Sequence, residues 1–230
     1  MPKNSNSLYN IIDEDRDIIV IHKMPGVAVE TKKIGEIDLV SALRNYVHAK
    51  DGNTYIGIVH RLDQPVEGLM VVAKNPKAAA FLSSQVSGAN GRMEKIYHAR
   101  VYGQIAEEEG QLTDWLVKDG RTNLQSVVDE AFAKSDKGKA SKKAVLDYRV
   151  IERQEYSELL EIKLGTGRHH QIRVQLANAG VPILGDTKYG SSESIDYSRQ
   201  QGIKQLALKS VRLGFVHPGN DKYVKYSIEI

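Results

Sequence analysis

Residues 58–74 read IVHRLDQPVEGLMVVAK. Two apolar runs that predict buried strands are interrupted by His60, Arg61 and Asp63, groups that are costly to bury unless paired or used. Gln64-Pro65 turns the chain, because a residue before proline is pushed away from helical backbone. The interruption is therefore a loop at a strand end, a common location for functional groups. By itself this tetrapeptide fits a surface turn with a structural Asp–Arg pair. A kinase catalytic loop also begins His-Arg, but it needs Asp next, and the chain has neither a glycine-rich nucleotide loop nor Asp-Phe-Gly.

On the N-terminal side, Asp17 to Lys23 predicts a strand ended by Met24-Pro25-Gly26. Leu39, Leu43, Tyr46 and Val47 form one helical stripe, with Asp38 suited to the cap. On the C-terminal side, Asn75 caps a helix that has Pro76 in its first position. The chain then turns strand-rich. Strands are predicted at 96–103, 111–117, 125–130, 145–151, 157–164, 206–215 and the C-terminal YVKYSIEI, and a helix over 169–179 stopped by Gly180 and Pro182. Regular βα alternation is missing, so the expected class is α+β with a large, mainly antiparallel mixed sheet flanked by helices and loops.

The 230 residues are 41% hydrophobic and 27% charged, an ordinary globular composition with enough apolar content for a core. The net charge of +3 is compatible with a nucleic-acid partner without requiring one. Zero cysteines exclude disulfides and thiolate zinc sites. The polar start has no signal-peptide core, and no apolar run is long enough to span a bilayer, so a cytoplasmic protein with no membrane role is expected.

Three further stretches bear chemistry-capable groups. GTGRHHQIR (165–173) follows a strand; its glycines allow a tight turn at Arg168, and Arg168 with Arg173 flanks a helix start suited to phosphate or carboxylate. His169 and His170 fall on different helix faces there, a poor metal pair, and no metal site is expected. In EKIYHARVYG (94–103), Tyr97 shares the apolar face with Ala99 and Val101, and Lys95 leans to the same side. KSDKGKASKK (134–143) reads either as a hairpin tip touching phosphates or as a solvated loop. Residues 191–204 read as a polar loop.

Taken in order, these stretches resemble the motifs of the RluA-type RNA pseudouridine synthases. HRLD with Gly68 to Lys74 is similar to the first motif, and Lys95-x-Tyr97 with Val101-Tyr102-Gly103 to the second. GTGRHHQIRVQLANAGVPILGDTKYG (165–190) resembles the third, and LALKSVRLGFVHP (206–218) the closing strand. DEDRDIIVIHKMPG (13–26) is similar to the family's opening.

The resemblance implies isomerisation of uridine in tRNA or ribosomal RNA, with no cofactor and no obligate protein partner. It implies that Asp63 is the catalytic aspartate, Arg168 the arginine paired with it, and Tyr97 the aromatic that packs on the target base. His60, Arg61, Lys95, Gln171 and Arg173 are implied in substrate binding, with Arg61 filling the space a flipped-out uridine vacates. The carboxylate could trap the electron-poor sugar at C1′ or act as base at C2′; the residues allow both. The rival reading is a noncatalytic RNA-binding protein of the same fold.

The chain departs from the pattern at several places. Val66-Glu67 stands where Thr-Ser is usual, HKMPG where NKPxG is usual, His169 for Thr and Gln175 for His. Glu67 is expected to place a negative charge near the RNA. The pattern begins by about residue 8, so one catalytic domain over 1–230 is expected, flexible over about 1–8 and without an S4-type RNA-binding domain.

Overall fold

The computed structural model describes residues 8–31, 35–86 and 92–229. The flexible start expected from the sequence lies, up to Ser7, outside the described residues. Along the chain come β1 (Tyr9–Glu14), β2 (Ile18–Lys23), α1 (Leu39–Asp51), β3 (Gly57–Ile58), β4 (Glu67–Ala73), α2 (Pro76–Val86), β5 (Glu94–Tyr102), β6 (Glu109–Lys118) and β7 (Gln125–Val128). They are followed by α3 (Glu130–Lys134), β8 (Lys142–Arg153), β9 (Ser157–Leu164), α4 (Gln171–Asn178), α5 (Ser192–Gln200), β10 (Leu208–Val216) and β11 (Tyr223–Ser227). The chain forms two compact units, one of Met1–Lys95 with Lys209–Ile230 and one of Ile96–Leu208.

In the first unit β2 lies between β1 and β4, antiparallel to both. β10 runs parallel to β4 and carries β11 antiparallel on its other stretch. β2 and β4 are buried on both faces, which is why DIIVIHK and GLMVVA read as continuous apolar runs rather than alternations. Ile18, Val20, Leu69, Val71, Leu213 and Phe215 form one core with Ala78 and Leu82 of α2. Each such fully buried side chain contributes about 1.5–3 kcal/mol through water-excluded area. The helix starts follow the sequence. The Asp38 carboxylate accepts from the Ser41 N–H at 2.8 Å, and the Asn75 side-chain oxygen accepts from the Ala78 N–H at 2.9 Å.

The second unit is an antiparallel series in the order β5-β9-β8-β6-β7. Leu116, Ala144 and Val174 pack together under α4, joined by the half-buried Val127 and Tyr189. Both units are thus α+β, as expected.

Four local expectations are corrected. The 169–179 helix begins only at Gln171, because His170 takes left-handed backbone (φ 52°) and forms the cap. The 191–204 stretch is largely helix α5 rather than loop. Its inward face is built of serines: Ser194 and Ser198 are buried and donate their hydroxyls to Ser191 O and Ser194 O, so hydropathy shows nothing. The 134–143 stretch is neither hairpin tip nor simple loop; it holds the end of α3, a short 3₁₀ turn over Asp136–Gly138 and the first residues of β8. Its Lys134–Glu130 and Lys139–Asp136 pairs, each 2.8 Å, are exposed and worth little. Finally β7 stops at Val128, because Asp129 instead caps α3 by accepting from the Phe132 N–H.

Candidate active site

In the first unit, the HRLD loop joins β3 to β4. Leu62 and Val66 are buried and anchor it, while Arg61 is exposed and Asp63 half-buried between them. The Asp63 carbonyl accepts from the Val66 N–H at 3.0 Å, closing the turn around Pro65. The loop ends at Gly68, whose φ of +128° is closed to ordinary residues, and a Cβ there would sit 2.2 Å from Ser210 O. Only glycine lets β4 and β10 approach here, and the approach fixes where the loop stops.

Sequence reading missed the group that holds the loop's other side. Lys23 is fully buried, and its ammonium donates to Met24 O (3.0 Å), Val27 O (2.8 Å) and Gln64 O (3.1 Å). It thereby ties the residue after Asp63 to the turn that follows β2. Burial pushes the Lys23 pKa down to about 8, opposed by the negative charges of Asp63 and Glu67. Gln64 adds a second tie, donating from Nε2 to Gly26 O at 3.0 Å. The only sequence signal was a lysine inside an otherwise apolar strand end.

Glu67 does not present a bare charge. Its Oε1 lies 2.8 Å from His22 Nε2 and 3.1 Å from Lys209 Nζ. Burial raises the Glu67 pKa, but hydrogen bonds from Lys209 and His22 more than offset this and hold the carboxyl below its ordinary value. His60 is buried; its Nε2 accepts from the Val71 N–H at 3.2 Å. Burial first, and then the positive charge of Lys95, lower its pKa to about 3, so the ring is neutral at neutral pH. Lys95 is buried as well, and burial lowers its pKa.

In the second unit, Tyr97 is buried on β5, paired across the ladder with Ile162 of β9. Arg168 is exposed on the turn before α4, and its Nε donates to Lys143 O at 3.1 Å. Gln171 organises that turn. Its Oε1 accepts from the Arg168 N–H (2.9 Å) and the Thr166 hydroxyl (2.8 Å), while Nε2 donates to Val145 O (3.0 Å). Arg173 points inward, where two parallel 2.7 Å hydrogen bonds join it to Asp186. Its guanidinium also lies 5.1 Å from the centre of the Tyr189 ring, and the Tyr189 hydroxyl is 2.7 Å from His170 Nδ1. Burial, then the charges of Arg173, His169 and Lys188, push His170 down to about 3. The His169 and His170 rings stack at 3.8 Å instead of diverging along a helix. Of the expected site residues, then, His60, Arg61, Asp63 and Lys95 belong to the first unit, and Tyr97, Arg168, Gln171 and Arg173 to the second.

Comparison with known proteins gives the family. The RNA pseudouridylate synthase family matches residues 17–178. The chain is 33% identical to the RNA pseudouridine synthase YlyB of Bacillus subtilis, over 94% of this chain and 67% of that one. It is 32% identical to ribosomal large subunit pseudouridine synthase D of Zymomonas mobilis, over 96% and 68%. The solved structure of human RNA pseudouridylate synthase domain containing 1 covers 100% of this chain and 86% of its own, with a TM-score of 0.74 at 21% identity, and shares the fold. The chain belongs to the RNA pseudouridine synthases and is an isomerase acting on RNA. Among the described residues no helix is long and apolar enough to cross a membrane.

Proposed function

We propose that this enzyme isomerises uridine in the RNA of the large ribosomal subunit, with Asp63 as the essential carboxylate. The observation that carries the reading is the build of the Asp63 loop. Buried Leu62 and Val66, the Lys23 ammonium and the Gly68–Ser210 approach all fix its backbone, and Asp63 is left half-buried. Rigid backbone under one carboxylate is what positioning for catalysis requires. Support for the substrate comes from relatives named ribosomal large subunit pseudouridine synthase C and D.

In this reading the target uridine leaves the RNA stack, at a cost of a few kcal/mol, and Arg61 occupies the gap. Cleavage of the N1–C1′ bond leaves an electron-poor sugar that Asp63 stabilises or traps, or whose C2′ it deprotonates. The freed base turns and C5 bonds to C1′. Tyr97 packs on the base, and Arg168 is assigned to keep the Asp63 carboxylate ionised, as a guanidinium lowers a neighbouring carboxyl pKa by about one to three units. Gln171 and Arg173 position Arg168 and its turn through the contacts described above. The work is placed in the cytoplasm. Mapping pseudouridines transcriptome-wide in cells with and without the protein tests the proposal. Loss of one or more ribosomal RNA sites is expected, and an unchanged ribosomal map argues against it.

A further inference from the structure

Two buried donors in the first unit have no acceptor. Lys95 is 6% exposed and has no hydrogen bond or ion pair among the described residues. An unpaired buried ammonium costs several kcal/mol of desolvation. His60 is 9% exposed, and its Nε2 accepts from the Val71 N–H, so the proton of the neutral ring sits on Nδ1. That Nδ1 is buried with no partner. The electrostatic influence of Lys95 on His60 marks the two as neighbours. The surroundings therefore offer an ammonium, an imidazole N–H and a net positive charge, with nothing among the described residues to receive them. Native proteins rarely leave such groups unsatisfied without a purpose.

We propose that Lys95 and His60 form an oxyanion site for the carbonyl oxygens of the target uracil. The proposal rests on the isomerase reading above. The chemistry creates the charge such a site needs. When N1–C1′ breaks, the bonding electron pair leaves with the base as uracilate, its charge shared by O2 and O4. The base turns, C5 bonds to C1′ with that pair, and the proton C5 then sheds is balanced by one taken up at N1. The product is neutral, so the donors favour the charged intermediate over substrate and product. A phosphate is the other oxygen-bearing partner an RNA supplies. The depth of both donors favours the base, the part of an RNA that enters an enclosed pocket. Lys95 also stands two residues ahead of Tyr97 in β5.

Lys95→Met tests this with the full chain and a ribosomal RNA fragment carrying the target site. The single-turnover rate at saturating RNA should fall about a hundredfold, as when one oxyanion donor is removed. The RNA Kd should change less than about threefold, with an unchanged salt slope. The variant should melt at or above the wild-type temperature, because an unpaired buried cation is gone. An unchanged rate overturns the proposal. So does a weakened Kd with a shallower salt slope and a normal rate, which marks a phosphate contact, and so does a loss of stability that accounts for the lost rate. In a second measurement, the Lys95 Cε resonance of lysine-labelled Asp63→Asn protein should report a raised pKa on binding the RNA and no change with inorganic phosphate; no change with either overturns it. If wild type itself forms no pseudouridine, the isomerase reading fails; if wild type and Lys95→Met are equally active, only the oxyanion site does.

Discussion

His22 and Glu67 are hydrogen-bonded to one another at 2.8 Å, and both stand where the chain leaves its family's usual residues. Lys209, from the neighbouring strand, completes the cluster at 3.1 Å. The departures therefore compensate: the carboxylate that looked exposed to RNA is neutralised from two strands. The cluster joins β2, β4 and β10 at the point where the Asp63 loop ends. Replacing Glu67→Ser or His22→Asn singly should each cost about 1 kcal/mol of stability, and the double variant should cost clearly less than the sum. Urea titrations of the four proteins measure this. An additive cycle would show that the contact carries no energy.

Lys23 should make stability rise with pH in an unusual window. Its folded pKa of about 8 lies below the ordinary 10.5, so between those values the folded chain holds fewer protons than the unfolded one. Stability must then increase with pH across that interval, and the Lys23 contribution is complete only above it. The gain amounts to about 3 kcal/mol. Denaturation free energies of wild type minus Lys23→Met, measured from pH 8 to 10.5, isolate it from other titrations. A difference that stays flat would mean that the ammonium is solvated.

Arg173 and Asp186 form a buried, bidentate pair, and breaking one side is more damaging than removing both. Asp186→Asn strands a guanidinium that is 4% exposed, at a cost of about 3–5 kcal/mol. For a chain of this length that corresponds to a fall in Tm of roughly 6–20 °C. Adding Arg173→Met to Asp186→Asn should recover part of the loss. The acid limb carries a second signature. Burial raises the Asp186 pKa, but Arg173 and two backbone N–H groups pull it below the ordinary 3.8. Its stabilisation is thus present above that value and is lost as the pH falls through the lower folded pKa. A variant melting within about 1 °C of wild type would remove the pair from the account.

How much of this was legible in the residues varied with the range of the interaction. Asp38, Asn75 and Pro76 announce their helices because capping is local chemistry, settled within three residues. The strands of GLMVVA and ELLEIKL show because burial pattern follows strand period. Helix α5 was invisible because its buried face is Ser194 and Ser198, satisfied by backbone carbonyls instead of apolar packing. The start of α4 was misjudged because nothing local signals that His170 will accept left-handed backbone. The same limit hid Lys23, whose decisive contact, Gln64 O, is 41 residues away. Asp63, Tyr97 and Arg168 were picked out by motif order along the chain, not by any property each shows by itself.

The central claim is that Asp63 carries the isomerisation, and one comparison tests it most directly. Purified wild type and Asp63→Asn are given the same ribosomal RNA at saturating concentration, and pseudouridine is quantified alongside the RNA Kd. The account predicts no detectable product from Asp63→Asn, with Kd within about threefold of wild type, since the substitution removes a charge without changing the shape of the loop. Pseudouridine formation by Asp63→Asn at a rate near that of wild type would contradict it.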